Sequence, residues 1–390
     1  MLDEEISIFK DKNYYKLIKK GGIINKRRKF MKKINDGIVG RNHTSLFPYQ
    51  GWPTVTKDEN GVLYAVSSGH RVTHICPFGK TLMYKSYDNG KSWSTPIIIN
   101  DTIFDDRDAG IVYMGSGKML VTFFKHPALN YKNIPWMVSH IKNSIEPRFH
   151  DMIFSTLELY ETFPKEELKG GSFVILSNDY GQTWSEPISL PVSAPHGPTF
   201  TKDGTLLYLG SEWFTDGKLP AKSIWLYKSS DYGKTWEQVS QIPKPDWLKD
   251  TEYFCEPHIL ELDDGSLLGA IRVESTFEIA TVKSYDGGKT WQELKRAGIK
   301  GAPPHLYKLS TGEILCSYAN RKGPYEEKVA ISYDNGETWA KDFVLYESNK
   351  DDIGYPSTVE LNSGELLTIY YDRYKEDKFT SVLYTKWKLK

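Results

Sequence analysis

The segment Ser86-Tyr-Asp88-Asn-Gly90-Lys-Ser92-Trp93 recurs four more times, starting at Ser177, Ser229, Ser284 and Ser332 and ending at Trp184, Trp236, Trp291 and Trp339. Every copy obeys Ser-x-Asp-x-Gly-x-Ser/Thr-Trp. The pattern describes a hairpin turn closed by its own side chains. The aspartate carboxylate accepts from turn amides, the glycine takes a positive φ, and the tryptophan anchors the outgoing strand. Five matches at eight positions exclude chance. Strand-turn units that repeat in this way and carry a tryptophan signature stack as the blades of a propeller.

A second repeat sets the number of blades. Upstream of each box lies an apolar strand, a glycine turn and another apolar strand, alternating as half-buried strands do. The turn glycines Gly61, Gly117, Gly204, Gly265, Gly312 and Gly364 mark six such hairpins. From turn glycine to box aspartate the chain takes 27, 27, 21 and 22 residues in four units, but 62 between Gly117 and Asp179. The excess is an insertion in blade two, about residues 126–169, in which Met152–Tyr160 reads as a short helix or a lid. The sixth hairpin runs into Thr380–Trp387 with no box after it, so an N-terminal strand is expected to complete the last blade and close the ring. The expected fold is all-β: a six-bladed propeller over residues 46–390 with five box turns, preceded by an extension, residues 1–45, that is helical or helps close the ring.

Bulk properties narrow the function. The 390 residues carry 50 basic and 50 acidic side chains, so no whole-molecule field favours nucleic acid or membrane. The one basic run, Lys26-Arg-Arg-Lys29 with Lys32 and Lys33, reads as a solvated face. Three cysteines (Cys76, Cys255, Cys316) do not make a disulfide framework. Met1-Leu-Asp-Glu-Glu has no apolar leader and no stretch reaches transmembrane length, which makes a cytoplasmic protein the expectation. No phosphate-binding glycine loop, His-Glu-x-x-His or Gly-x-Ser-x-Gly occurs, and no cofactor is expected. His70, His74 and Cys76 have metal-ligand chemistry but sit on a loop without a second pair, and read as satisfied loop groups. No metal is expected either.

In a propeller the first strand of every blade lines the axis, so residues at its start converge in one funnel. The six starts are Trp52-Pro53, Asp108-Ala109, Gly197-Pro198, Glu256-Pro257, Pro303-Pro304 and Tyr355-Pro356. The following strands end at the same mouth with His70-Arg71, Lys125-His126, Glu212-Trp213, Arg272, Arg321 and Asp372-Arg373. Six of nine histidines fall in or beside these sets (His70, His74, His126, His196, His258, His305). Ionisable groups gathered at one narrow mouth point to a binding or catalytic site rather than to scattered loop polarity. Pro-His258 and Pro-His305 read either as sugar-hydroxyl ligands or as packing residues turned away from Glu256.

With these boxes and this blade number the chain resembles the sialidase (neuraminidase) superfamily over residues ~46–390. Glu256-Pro-His-Ile-Leu-Glu-Leu-Asp-Asp-Gly-Ser-Leu-Leu-Gly-Ala-Ile-Arg272 is similar to the family segment holding the tyrosine-activating glutamate and the second arginine of the substrate-carboxylate triad. Arg321 stands where the third triad arginine belongs, and Gly354-Tyr355-Pro resembles the nucleophilic-tyrosine segment. Arg71 matches a substrate-binding arginine. The resemblance implies a tyrosine nucleophile, Tyr355, activated by Glu256, with Arg272 and Arg321 on the substrate carboxylate. Physically, a neutral phenol avoids the repulsion that the carboxylate of a 2-keto acid sugar exerts on a carboxylate nucleophile.

Two family features are missing. Where sialidases have the first triad arginine, in Arg-Ile-Pro, this chain has Gly51-Trp52-Pro53, and no carboxylate follows Arg71 in Val72-Thr-His74-Ile-Cys76-Pro77. Asp105-Asp-Arg107-Asp108 is positioned to supply both, Asp108 as general acid and Arg107 as anion contact. His196 and Trp52 join Arg71, Arg107, Arg272 and Arg321 as substrate-binding candidates. Three functions follow: an exo-glycoside hydrolase releasing a terminal acidic sugar from a small glycan or glycoside, a related hydrolase or lyase that uses the histidines, and a non-catalytic glycan-binding propeller.

Overall fold

The computed structural model describes residues 31–127, 129–212, 223–249 and 252–390, together with the strands Ile8–Asp11, Tyr14–Lys19 and Gly22–Lys26. Those three strands form a separate antiparallel sheet, so this part of the extension, as far as it is described, holds strands where a helix was one of the two expectations. Arg27, Arg28 and Lys29 of the basic run, and Trp213, lie outside the described residues.

Six four-stranded antiparallel sheets follow one another around the ring. Their innermost strands are Tyr49–Lys57, Asp105–Tyr113, Thr199–Phe200, Phe254–Glu261, His305–Lys308 and Gly354–Glu360. In blades one to five the chain then runs outward strand by strand. Blade six is built from both ends of the propeller, because Met31–Gly40 pairs with Thr380–Leu389, from Gly40 opposite Val382 to Met31 opposite Leu389. This closure gives blade six its fourth, outermost strand. Neighbouring inner strands also bond to each other: Val55 N–H donates to Ser357 Oγ at 3.1 Å, and Leu306 N–H to His258 Nδ1 at 3.0 Å. Gly110 has no side chain because blade three passes there, with Gly197 N 2.3 Å from where a Cβ would stand.

The boxes close the turns between third and fourth strands. In the first, Asp88 Oδ1 accepts the amides of Lys91 (3.0 Å) and Ser92 (2.9 Å), Oδ2 accepts the Ser92 hydroxyl (2.6 Å), and Gly90 N–H donates to Ser86 Oγ (2.9 Å). The same bonds recur around Asp179 and Asp231, with Thr183 and Thr235 in place of Ser92. Each glycine has a positive φ, from 69° at Gly181 to 91° at Gly233. The box tryptophans pack into the apolar layers between blades: Trp93 with the cluster holding Leu63 and Leu367, Trp291 with that holding Leu226 and Leu267. The boxes are thus stitches between blades.

The blade-two insertion folds as helices α1 (Asn130–Asn133), α2 (Pro135–Ser144) and α3 (His150–Tyr160). Their own small core, with Ile141, Ile153 and Leu157 fully buried, extends onto the blade-one loop through Val72 and Cys76. Among the described residues, no helix is long and apolar enough to cross a membrane.

Candidate active site

Four residues at the starts of inner strands have backbones in the left-handed region: Trp52 (φ 54°), Asp108 (51°), Glu256 (48°) and Tyr355 (55°). Each is the first residue of a β-bulge. In blade four the register passes from Cys255–Arg272 to His258–Ala270, so Glu256 and Pro257 face one residue. Blade six repeats this around Tyr355-Pro356, blade two around Asp108-Ala109 and blade one around Trp52-Pro53. A bulge re-aims its side chain, and proline is tolerated in second place because the ladder is already broken there. Each such backbone costs on the order of 1–3 kcal/mol, and strain of this kind clusters at functional sites. Blade three carries Gly197 at the equivalent point, φ 77°.

The four re-aimed residues border a cavity of about 440 Å³ at the mouth of the axis, with Arg107, Arg272 and Arg321. Tyr355 donates its hydroxyl to Glu256 Oε1, and Arg272 Nη1 donates to Glu256 Oε2 at 2.5 Å. Arg272 is held from its other side by Glu274 (2.5 Å). Burial, reinforced by the Glu256 and Asp108 carboxylates, pushes the Tyr355 phenol well above its ordinary pKa. The phenol therefore stays protonated until a base takes the proton, and Glu256 is already bonded to it. Asp108 is pushed up to about 7, mostly by burial; Arg107 opposes the shift and Glu256 adds to it. Its Oδ1 is buried and has no hydrogen-bond partner among the described residues.

At position 51, where the first triad arginine is missing, a side chain would stand close against two aromatic rings. A Cβ on Gly51 would stand 3.3 Å from the Tyr49 ring and 3.8 Å from that of Tyr371. Trp52, Tyr49, Tyr355 and Tyr371 pack as one aromatic cluster. Arg107 reaches the cavity from blade two instead, lying over the Trp52 ring at 4.3 Å.

Seven of the nine candidate residues thus border the cavity, and two do not. Arg71 is fully buried behind Trp52, its guanidinium 4.9 Å from the ring. It bonds Asp105 through both terminal nitrogens and also donates to His74 O (3.0 Å). This enclosure keeps Arg71 from the substrate contact expected of it. Tyr131 of α1 donates to the same Asp105, tying the insertion to the strand of Arg107 and Asp108. Burial works against the charge on Asp105, but Arg71 and Arg107 hold it below the usual carboxylate range. His196 lies deeper on the axis. Its ring stands 5.0 Å from His305 and 5.9 Å from His258, and its Nδ1 is 3.2 Å from Thr54 Oγ1. Burial drives all three imidazoles below their ordinary pKa, so they form a neutral packed stack.

Sequence reasoning passed over His74 as an acid-base group. Its ring lines the cavity and meets Trp52 edge-on at 4.9 Å. His74 Nδ1–H donates to Asp352 Oδ1 at 2.8 Å, an oxygen that also accepts from Tyr49 (3.1 Å) and Tyr371 (3.2 Å). Burial opposes the charge of Asp352, yet His74 and Arg321 hold it down to about 2. The signal was the aspartate two residues ahead of Gly354-Tyr355. His70 stacks on Phe47 (4.1 Å) and Cys76 donates to Phe78 O (3.2 Å). Among the described residues no three His, Cys, Asp or Glu side chains converge as a metal site.

Comparisons with known proteins add the following. The model of the BNR repeat-like domain matches residues 154–368. A sialidase of Bacteroides fragilis is 25% identical over 220 residues, a match covering 50% of this chain and 38% of that protein. The match thus spans well under half of that relative's length. Among solved structures, a protein of unknown function from Dyadobacter fermentans superposes with a TM-score of 0.73 at 21% identity, covering 92% of this chain and 99% of its own. The NanB sialidase of Streptococcus pneumoniae superposes with a TM-score of 0.63 at 14% identity, covering 92% of this chain and 70% of its own. At such identities the superpositions speak for the fold.

Proposed function

From a chain that belongs to the BNR repeat-like domain family and has the sialidase-superfamily six-bladed propeller, we propose an exo-glycoside hydrolase that releases a terminal acidic sugar, a 2-keto acid or a uronic acid. The observation that carries the reading is the hydrogen-bonded line Tyr355–Glu256–Arg272 at the cavity. Arg272, Arg321 and Arg107 present guanidiniums to a substrate carboxylate through charge-assisted bonds. Tyr355 Oη attacks the anomeric carbon while its proton passes to Glu256. The glycosidic bond breaks, and the leaving oxygen takes the proton of Asp108. Water then gives a proton back to Asp108 and displaces the tyrosine, which recovers its proton from Glu256.

The test is release of reducing sugar from a panel of 2-keto-acid and uronic-acid glycosides. A general acid works only while protonated. With Asp108 at about 7, kcat/KM should hold below pH 7 and fall above it, and Asp108→Asn should remove that basic limb. Binding without turnover of any member of the panel would instead make the protein a glycan-binding propeller.

The His74–Asp352 pair favours one second reading. An imidazole fixed at Nδ1 by a carboxylate is built to take a proton at Nε2, and the carbon beside a uronate carboxylate is acidic enough to lose one. β-Elimination would then pass the C5 proton to His74 Nε2, break the C4–O bond of the same uronate with Asp108 protonating the departing oxygen, and leave a C4=C5 double bond, recognised by its new ultraviolet absorbance.

A further inference from the structure

The groups around the cavity divide into three sets. The ionic set has been described, and a neutral polar set consists of His74, His126, Asn130, Ser193 and Ser211. The third is apolar: Ile75 and Phe124 from blades one and two, and Ile134, Trp136 and Met137 from the start of α2 in the insertion. Trp136 is 54% exposed although it borders a cavity, whereas its neighbour Met137 is buried. Nor is its position loose. Helix α2 is seated by Ile141 in the insertion core, and Tyr131, just ahead of it, bonds the buried Asp105. An indole held half in water at the edge of an ionic site loses that exposure only when something apolar covers it. Ile75, Ile134 and Met137 offer no hydrogen bonds to sugar hydroxyls, so this set suits a hydrocarbon better than a second sugar.

We infer that the ligand is amphiphilic: an acidic sugar joined through its glycosidic oxygen to an apolar, aromatic or alkyl, aglycone that lies on Trp136. The inference rests on the hydrolase reading for which end of the ligand the arginines take. Charge complementarity assigns the acid to Arg107, Arg272 and Arg321, which leaves the aglycone to the insertion.

The test is calorimetry on Tyr355→Phe, used to suppress turnover, with the methyl and phenyl glycosides of one uronic acid, a uronyl disaccharide, and the phenyl glycoside of a neutral sugar. The phenyl uronide is expected to bind about ten- to a hundredfold more tightly than the methyl uronide, the range for burying one aromatic ring. Adding Trp136→Ala should erase that difference and leave the methyl uronide where it was. Equal affinities for methyl and phenyl, a difference that survives Trp136→Ala, or a disaccharide that outbinds the phenyl uronide would each overturn the inference. If no uronide binds but the neutral phenyl glycoside does, through Trp136, the apolar subsite stands and the uronic-acid form of the hydrolase reading falls. If nothing binds, the apolar subsite and the uronic-acid form both fall.

Discussion

Tyr355→Phe is expected to lower kcat on an activated acidic glycoside by at least about 10³-fold, roughly 4 kcal/mol of barrier, while leaving KM within a few-fold. The ring stays in its cluster with Trp52, Tyr49 and Tyr371, so packing is kept. Glu256 loses one donor but retains Arg272 at 2.5 Å, and the folding cost should not exceed about 1 kcal/mol. The size of the catalytic loss follows from the phenol's environment. Burial and two carboxylates hold the proton on Tyr355 far beyond neutral pH, so no phenolate waits in the free protein. All nucleophilic character arises as Glu256 takes the proton during attack, and without the hydroxyl there is nothing to activate. Glu256→Gln should therefore be nearly as damaging, because an amide cannot accept the proton. Full activity of Tyr355→Phe would end the tyrosine mechanism. An equal loss of activity and of melting temperature would reduce the pair to a structural role.

Much of this site could be read from the chain because the propeller converts sequence repetition into spatial convergence. Aligning glycine turns and boxes placed Trp52, Asp108, Glu256 and Tyr355 at equivalent points of four blades, and the structure gives all four the same bulge and the same left-handed backbone. The X-Pro pairs at three of them were the visible trace of that bulge, since proline fits where the ladder skips a residue. What stayed hidden depends on contacts between repeats. Asp352 gains its meaning from His74, 278 residues away in sequence. Nothing in Gly51-Trp52-Pro53 announces how closely the Tyr49 and Tyr371 rings approach Gly51. The insertion was found by its excess length, but its contribution of Trp136 to the cavity follows from how its helices pack.

Arg71 was the candidate most changed by the fold, and the reason yields the second prediction. An arginine at a strand end near the mouth resembles a substrate ligand in sequence, but this one is sealed by Trp52 and paired with Asp105, both partners without solvent exposure. A buried pair contributes little net stability over an apolar replacement, whereas removing one partner strands a charge, at about 3–5 kcal/mol. Asp105 also accepts from Tyr131 and lies 3.7 Å from Arg107, so its loss frees the insertion and the cavity arginine together. Asp105→Ala is therefore expected to lower unfolding stability by about 3–5 kcal/mol in urea. It should also weaken binding of an acidic ligand, because Arg107 loses its reference point. Arg71→Met combined with Asp105→Leu should cost less than Asp105→Ala alone, since no charge of the pair is left behind; Arg107 loses Asp105 in both variants, so that loss cancels in the comparison. A substrate-binding Arg71 would behave in the opposite way, with Arg71→Met raising KM many-fold at unchanged stability. That result would return Arg71 to the site and require the Trp52 wall to open when substrate enters.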